Sequence, residues 1–113
     1  MPKPLLPTLR EKNRYIAFEV ISDSQFERNE LVRGVWAGVL GFLGEQGAGR
    51  TSLWAMDWDG SKSTGILRVN RKSVEEVRAA MALIRSVNNK NTVFRVLGVS
   101  GTLKSLREKF LNI

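Results

Sequence analysis

The 113-residue chain contains no cysteine and no histidine. Without thiols it has no disulfide framework, no thiolate nucleophile and no zinc finger. Without imidazole it has no Ser-His-Asp triad and no histidine acid or base. The lack of cysteine fits a reducing cytoplasm. Proline occurs only as Pro2, Pro4 and Pro7, so no ring interrupts secondary structure after the first few residues. Long apolar runs are also missing; none approaches the ~20 residues that span a bilayer. The start, MPKPLLPTLREK, offers no small-residue cleavage site. It reads as a flexible tail over residues 1–13 and not as a signal peptide. Residues 14–113 then form a single domain, long enough for one packed core.

Acidic residues are scarce where basic ones gather. Residues 15–60 hold three basic and seven acidic side chains, whereas residues 61–113 hold eleven basic and only three acidic. Residues 1–14 add four basic and one acidic, for a net charge of +7. Charge alone can serve solubility, but its confinement to one half points to an anionic partner, most commonly nucleic acid.

Alternation of apolar residues predicts a first strand over Tyr15–Ile21. A helix follows over about Asn29–Gly44, with Leu31, Val32, Val35, Trp36, Val39, Leu40, Phe42 and Leu43 on a wide apolar face. Gly47 and Gly49 close it. Further strands are expected over Ser52–Trp58 and Gly65–Asn70. Ser73 and Glu76 suggest a capping box opening a second helix through Ser86. Asn88–Asn91 is a turn, Thr92–Val99 a fourth strand and Thr102–Leu111 a third helix. The order βαββαβ followed by α implies an α+β, ferredoxin-like split βαβ sandwich with a four-stranded antiparallel sheet and an additional C-terminal helix. Right-handed crossovers put strands one and three in the centre. With Ile16, Phe18, Val20, Leu67, Val69, Phe94 and Val96 facing the helices, the second face stays open. It receives Tyr15, Glu19, Arg68, Asn70, Arg95 and Leu97, with Arg68 and Arg95 flanking Glu19.

Several motifs fail as catalytic signatures. GEQGAGRT at 44–51 resembles a phosphate-binding loop, but it closes a helix where that loop must open one. Asp57, Asp59 and Ser61 resemble the start of a calcium loop whose twelfth position is here Arg68, so a polar hairpin turn is the better reading. The serine of Gly98–Gly101 has no histidine to activate it. Trp54, Met56 and Trp58 share a parity and read as packing residues. Gly34, Gly38, Gly41 and Gly44 lie near one another on the first helix, where each costs about 1 kcal/mol relative to alanine; close approach of another chain is their functional reading. Arg71, Arg78 and Arg85 recur every seven residues as a basic stripe. The third strand lacks the aromatics on which RNA-recognition motifs stack bases, and only Tyr15 on the first strand could do so.

The most informative stretch is NTVFRVLGVSGTLKSLREKF at 91–110. A strand passes through a glycine-serine-glycine turn into a helix carrying Lys104, Arg107 and Lys109, with Thr102 placed to cap it and Leu103, Leu106 and Phe110 to anchor it. A turn rich in free N–H groups joined to a basic helix suits a polyanion.

Together, RYIAFEV at 14–20, GILRVNR at 65–71 and RVLGVSGTLKSLREKF at 95–110 resemble the archaeal ribonuclease P protein component 2 family, the small protein subunits of ribonuclease P and MRP. That resemblance implies a non-catalytic subunit of the ribonucleoprotein that removes 5′ leaders from precursor tRNA. The RNA would carry the catalytic site and the magnesium, the chain itself holding neither cofactor nor metal. The implied partners are the ribonuclease P RNA and protein component 3, in a two-plus-two assembly, with precursor tRNA met indirectly. The candidate RNA contacts are Arg68, Arg71, Arg95, Lys104 and Arg107. The candidate partner interface comprises Gly34, Gly38, Gly41 and Tyr15. The competing reading is a stand-alone basic RNA-binding or protein-scaffold module unrelated to tRNA processing.

Overall fold

A computed structural model describes residues 12–111. The tail expected over residues 1–13 therefore lies outside the described residues except for Lys12 and Asn13, and Asn13 already belongs to a strand. In chain order the elements are β1 (Asn13–Ile21), α1 (Arg28–Arg50), β2 (Trp54–Asp59), β3 (Thr64–Asn70) and a 3-10 turn (Arg71–Ser73). There follow α2 (Val74–Leu83), two-residue strands β4 (Ser86–Val87) and β5 (Lys90–Asn91), and β6 (Val93–Ser100). Last comes α3 (Leu103–Leu106), which runs on into a wider π turn (Arg107–Leu111). The main sheet has the order β2-β3-β1-β6, antiparallel throughout, with β3 and β1 in the centre. This is the expected ferredoxin-like arrangement.

The helix-facing layer follows from alternation. Ile16, Phe18, Val20, Leu67, Val69 and Phe94 are buried under α1 and α2, and Val96 packs beside them. Phe18 lies near the centre of this core. Its ring stacks on Trp58 at 6.1 Å between centroids and meets Phe94 at 5.8 Å. Room for it comes from Gly65 on the neighbouring strand, where a Cβ would stand 2.6 Å from the ring.

The helices depart from expectation where tertiary packing overrides local signals. α1 breaks at Gly44, whose φ of 76° favours glycine, but then resumes to Arg50 past Gly47 and Gly49. Its buried stripe is narrow: Leu31, Val35 and Val39 face the core, while Trp36, Leu40 and Phe42 stay exposed. α2 stops at Leu83 because Ile84 turns extended and inserts against α1. Arg71, Arg78 and Arg85 therefore occupy a 3-10 turn, a helix and the segment beyond that helix, and form no continuous stripe. Ser73 makes no capping hydrogen bond; the Asn70 side chain instead accepts the Lys72 N–H at 3.0 Å. The turn expected at Asn88–Asn91 tightens into the β4–β5 hairpin. Asn88 and Asn89 both adopt positive φ, as a two-residue hairpin loop requires.

The second sheet face is not open along its length. α3 lies across it, burying Ala17, Ile66 and Leu106 completely, with Tyr15, Met56, Leu97, Leu103, Phe110 and Leu111 packed around them. Thr102 caps this helix as expected, its hydroxyl accepting the Ser105 N–H at 3.2 Å. Gly98 serves the docking and not a left-handed turn. A Cβ there would lie 2.3 Å from the Phe110 ring, and Gly44 has the only positive φ among the described glycines.

Candidate nucleic-acid interface

Sheet register sorts the second face into transverse rows. The first crosses the strands as Trp54, Arg68, Tyr15 and Ser100. The next holds Asp57, Ile66, Ala17 and Gly98 and lies under α3. The far row holds Asp59, Thr64, Glu19 and Arg95. Arg68 therefore sits two rows from Glu19 and does not flank it, and Arg95 stands on edge strand β6, not in the centre. Arg95 approaches Glu19, its register partner, at 3.8 Å. Both are largely solvated, so that pair contributes little.

Rows and elements divide the charge between two ends. At the end where β1 starts and β3 and β6 finish are Lys12, Arg14, Arg68, Arg71, Lys72 and, just past β6, Lys104. The Arg71 N–H donates to the Lys12 carbonyl at 2.7 Å, tying the 3-10 turn to the entry of β1. None of the strand residues at this end is acidic. Glu75 and Glu76 follow in sequence but belong to α2, in the layer behind the sheet, where Glu75 approaches Arg78 at 3.6 Å. Glu108, on the turn after α3, is exposed. The opposite end carries Asp23, Glu19 and Asp59. There Asp59 Oδ1 accepts the Ser61 hydroxyl at 2.6 Å and the N–H groups of Ser61 and Lys62. Those bonds, the hydroxyl's first, lower its carboxyl pKa. That is the polar hairpin turn expected from the sequence.

The candidate cations are not equivalent. Lys104 is exposed on α3 and forms no ion pair among the described residues. Arg107 reaches back across the sheet to Asp57 at 3.8 Å, so part of its charge is already answered within the chain. Arg71 is exposed. Arg68 is half-buried, and its Nε is enclosed with no hydrogen-bond partner. The structure thus brings Arg68, Arg71 and Lys104 to one end, leaves Arg107 at its border and separates Arg95 from it.

The glycines have intrachain work. A Cβ on Gly34 would meet Val87 at 2.7 Å, and one on Gly38 would meet Ile84 at 2.5 Å, so both let α1 seat the segment after α2. Gly41 faces open space. It borders a groove of about 490 Å³ with Phe42 and Leu83 on its walls. Tyr15 packs within the α3 cluster. One feature escaped the reading by parity. Trp54 and Trp58 fall on opposite faces because the β2–β3 register shifts between Ala55 and Asp57, leaving Met56 as an extra residue. Trp58 turns inward and its Nε1 donates to the Phe26 carbonyl at 2.9 Å, while Trp54 stays outside at 61% exposure. The Trp36–Leu40 spacing was visible on α1 as a row beside the Leu31–Val35–Val39 stripe, one position around the helix.

Among the described residues no helix is long and apolar enough to cross a membrane. The Rpp14/Pop5 family matches residues 14–111. Ribonuclease P protein component 2 of Thermococcus kodakarensis is 48% identical over 110 residues, covering 97% of this chain and 92% of that protein. The component 2 proteins of Pyrococcus furiosus and Methanococcus vannielii are 43% and 39% identical, over 98% and 100% of this chain and 92% and 85% of theirs. Among solved structures, a chain in the cryo-EM structure of yeast ribonuclease MRP has a TM-score of 0.69 at 10% identity, over 83% of this chain and 77% of that one. At that identity the likeness concerns the fold.

Proposed function

The chain belongs to the Rpp14/Pop5 family of ribonuclease P subunits, and from that premise we propose that its basic sheet end binds the catalytic RNA of the ribonucleoprotein that removes 5′ leaders from precursor tRNA. The observation that carries this is the gathering of Arg68, Arg71, Lys72 and Lys104 at one end, where none of the strand residues is acidic. Cations so placed neutralise phosphates and release condensed counterions. They also let two RNA segments approach without mutual repulsion, a task otherwise left to magnesium. The chain itself cuts nothing in this account: it lacks histidine and cysteine, and Asp57 and Glu19 are each within 4 Å of an arginine. Catalysis and the magnesium belong to the RNA, and the setting is the cytoplasm.

A second surface suits protein component 3. Trp36, Leu40, Phe42 and Leu83 expose between 37% and 56% of their areas along α1 and the end of α2, and apolar side chains gathered in one region mark interaction surfaces. On this reading component 3 docks on the outward row of α1 and on the groove beside Gly41. Gly34 and Gly38 then act through their own chain; one groove per copy gives a one-to-one pair, and the two-plus-two assembly needs a second contact that joins two such pairs.

The test is reconstitution with the RNA and component 3. Arg71→Ala with Lys104→Ala leaves every apolar anchor of α3 in place. At limiting protein and magnesium the double variant should lose most of its stimulation of cleavage, and added magnesium should restore part of it. Full activity under those conditions would overturn the assignment. Cleavage of precursor tRNA by the purified chain alone would overturn the non-catalytic reading.

A further inference from the structure

The first row of the second sheet face combines features that folding alone does not require. Trp54 is 61% exposed, the largest value among the large apolar side chains described. A lone exposed tryptophan is unremarkable on most surfaces. This one stands directly opposite Arg68 in the β2–β3 ladder, where side chains lie about 4.5–5.5 Å apart at Cβ. Arg68 is half-buried with an unpartnered Nε, and no carboxylate pairs with it among the described residues. A partly desolvated cation without a counter-charge is costly, and an external anion offsets that cost. Arg71 and Lys72 lie on the turn just past β3, and Arg14 precedes Tyr15 on β1. The row itself is thus positive and aromatic and holds no acid; the nearest one on the same face, Asp57 in the adjoining row, already faces Arg107 at 3.8 Å.

We propose that Trp54 and Arg68 form a binding site for one unpaired nucleotide of RNA, the indole stacking on its base and the guanidinium holding an adjacent phosphate. The inference rests on the reading that this end of the sheet meets RNA. An unpaired nucleotide brings an aromatic face and an anion at a spacing that suits a side-by-side aromatic and cation. A duplex offers the anion but keeps its base faces stacked internally. The site takes a single base because α3 occupies the neighbouring row, where Leu106 covers Ala17 and Ile66. On an open four-stranded sheet, two or three bases can follow one another; here the second step is blocked. Sequence parity assigned Trp54 to packing, and the bulge at Met56 is what releases it to the surface.

The experiment compares the full-length chain with Trp54→Ala and Trp54→Phe on two probes. One is a single-stranded RNA of about eight nucleotides, a length within the ~4–16 nucleotides that single-strand-binding folds cover; the other is the same strand annealed into a duplex. Trp54→Ala should weaken single-strand binding by roughly five- to a hundredfold, the span measured for loss of one stacked base, and leave duplex binding within about twofold. Trp54→Phe should recover much of the affinity. Single-stranded RNA should quench the emission of the wild-type chain, and Trp54→Phe should remove most of that quench. Equal losses on both probes, or none on either, would overturn the site while leaving salt-dependent RNA binding by the basic end intact. Failure of the wild-type chain to bind either probe would overturn the basic-end reading and the site together. Quenching absent with RNA, but a blue shift of Trp54 emission on adding a protein subunit of the complex, would reassign the residue to a protein contact.

Discussion

The same four strands present two faces with opposite characters. Under α1 and α2 the sheet offers an unbroken apolar layer, from Ile16 through Phe18 to Val20 and from Leu67 to Val69, all at most 5% exposed. On the reverse only Ala17 and Ile66 are fully buried, beneath Leu106, and the rows to either side carry charge. Successive side chains alternate between the faces, so a single stretch of sequence serves both. The first face supplies stability. The second needs only enough apolar contact to seat α3, and its remaining positions are free to carry cations. Under the proposed function, folding and RNA contact lie on opposite sides of one sheet, so that either could change with little effect on the other.

That separation can be broken by mutation. Phe18→Ala removes the ring between Trp58 and Phe94 and should cost about 3–5 kcal/mol in denaturant unfolding, whereas Trp54→Ala, on the other face, should stay within about 1 kcal/mol. Comparable losses from the two would end the division of labour. A smaller effect distinguishes the glycines of α1. Gly38→Leu forces a side chain into Ile84 and should destabilise the isolated chain by about 1–3 kcal/mol. A Cβ at Gly41 meets nothing, so Gly41→Leu should hold or raise stability, and should nevertheless weaken binding of component 3. Complex formation untouched by Gly41→Leu would remove the groove from the protein interface.

The smallest effect concerns the tie between α1 and the β4–β5 hairpin. Glu30 accepts a hydrogen bond from Asn88 Nδ2 at 2.6 Å and pairs with Lys90 Nζ at 3.1 Å. The Asn88 bond first, and Lys90 next, hold its pKa below the ordinary carboxylate value of 4.5. A depressed folded-state pKa means that the stabilisation is present above the unfolded value and is lost as pH falls through the folded one. Glu30→Gln should therefore be less stable than wild type at pH 7, with the gap closing in the acid range below 4.5. Urea midpoints at neutral and acid pH measure it, and a gap independent of pH would assign the loss to packing.

Strand order, the helix-facing residues and the basic character of the C-terminal half were legible because alternation and charge are local properties. The apolar stripe of Leu103, Leu106 and Phe110 announced that α3 must dock, but not on which layer. That was decided by Gly98, whose missing side chain leaves room for the Phe110 ring. Register was the other hidden quantity. Whether Arg68 lies beside Glu19 or beside Trp54 depends on how β3 slides along β1 and β2, and the bulged positions at Met56 and Leu97 carry no local signal. The β4–β5 hairpin was partly visible in its paired asparagines, which tolerate positive φ, but its strands are too short to show a period.

The central claim is that the cations at one end of the sheet, and not the positive charge as a whole, hold the RNA. The slope of log affinity against log salt for the ribonuclease P RNA counts the phosphates neutralised, at about 0.7–0.9 for each one. Replacing Arg68, Arg71 and Lys104 together by alanine should flatten that slope by roughly 2–3, while removing Arg78, Arg85 and Lys62 should leave it nearly unchanged. Equal flattening by the two triple variants would show that only net charge matters and would contradict the account.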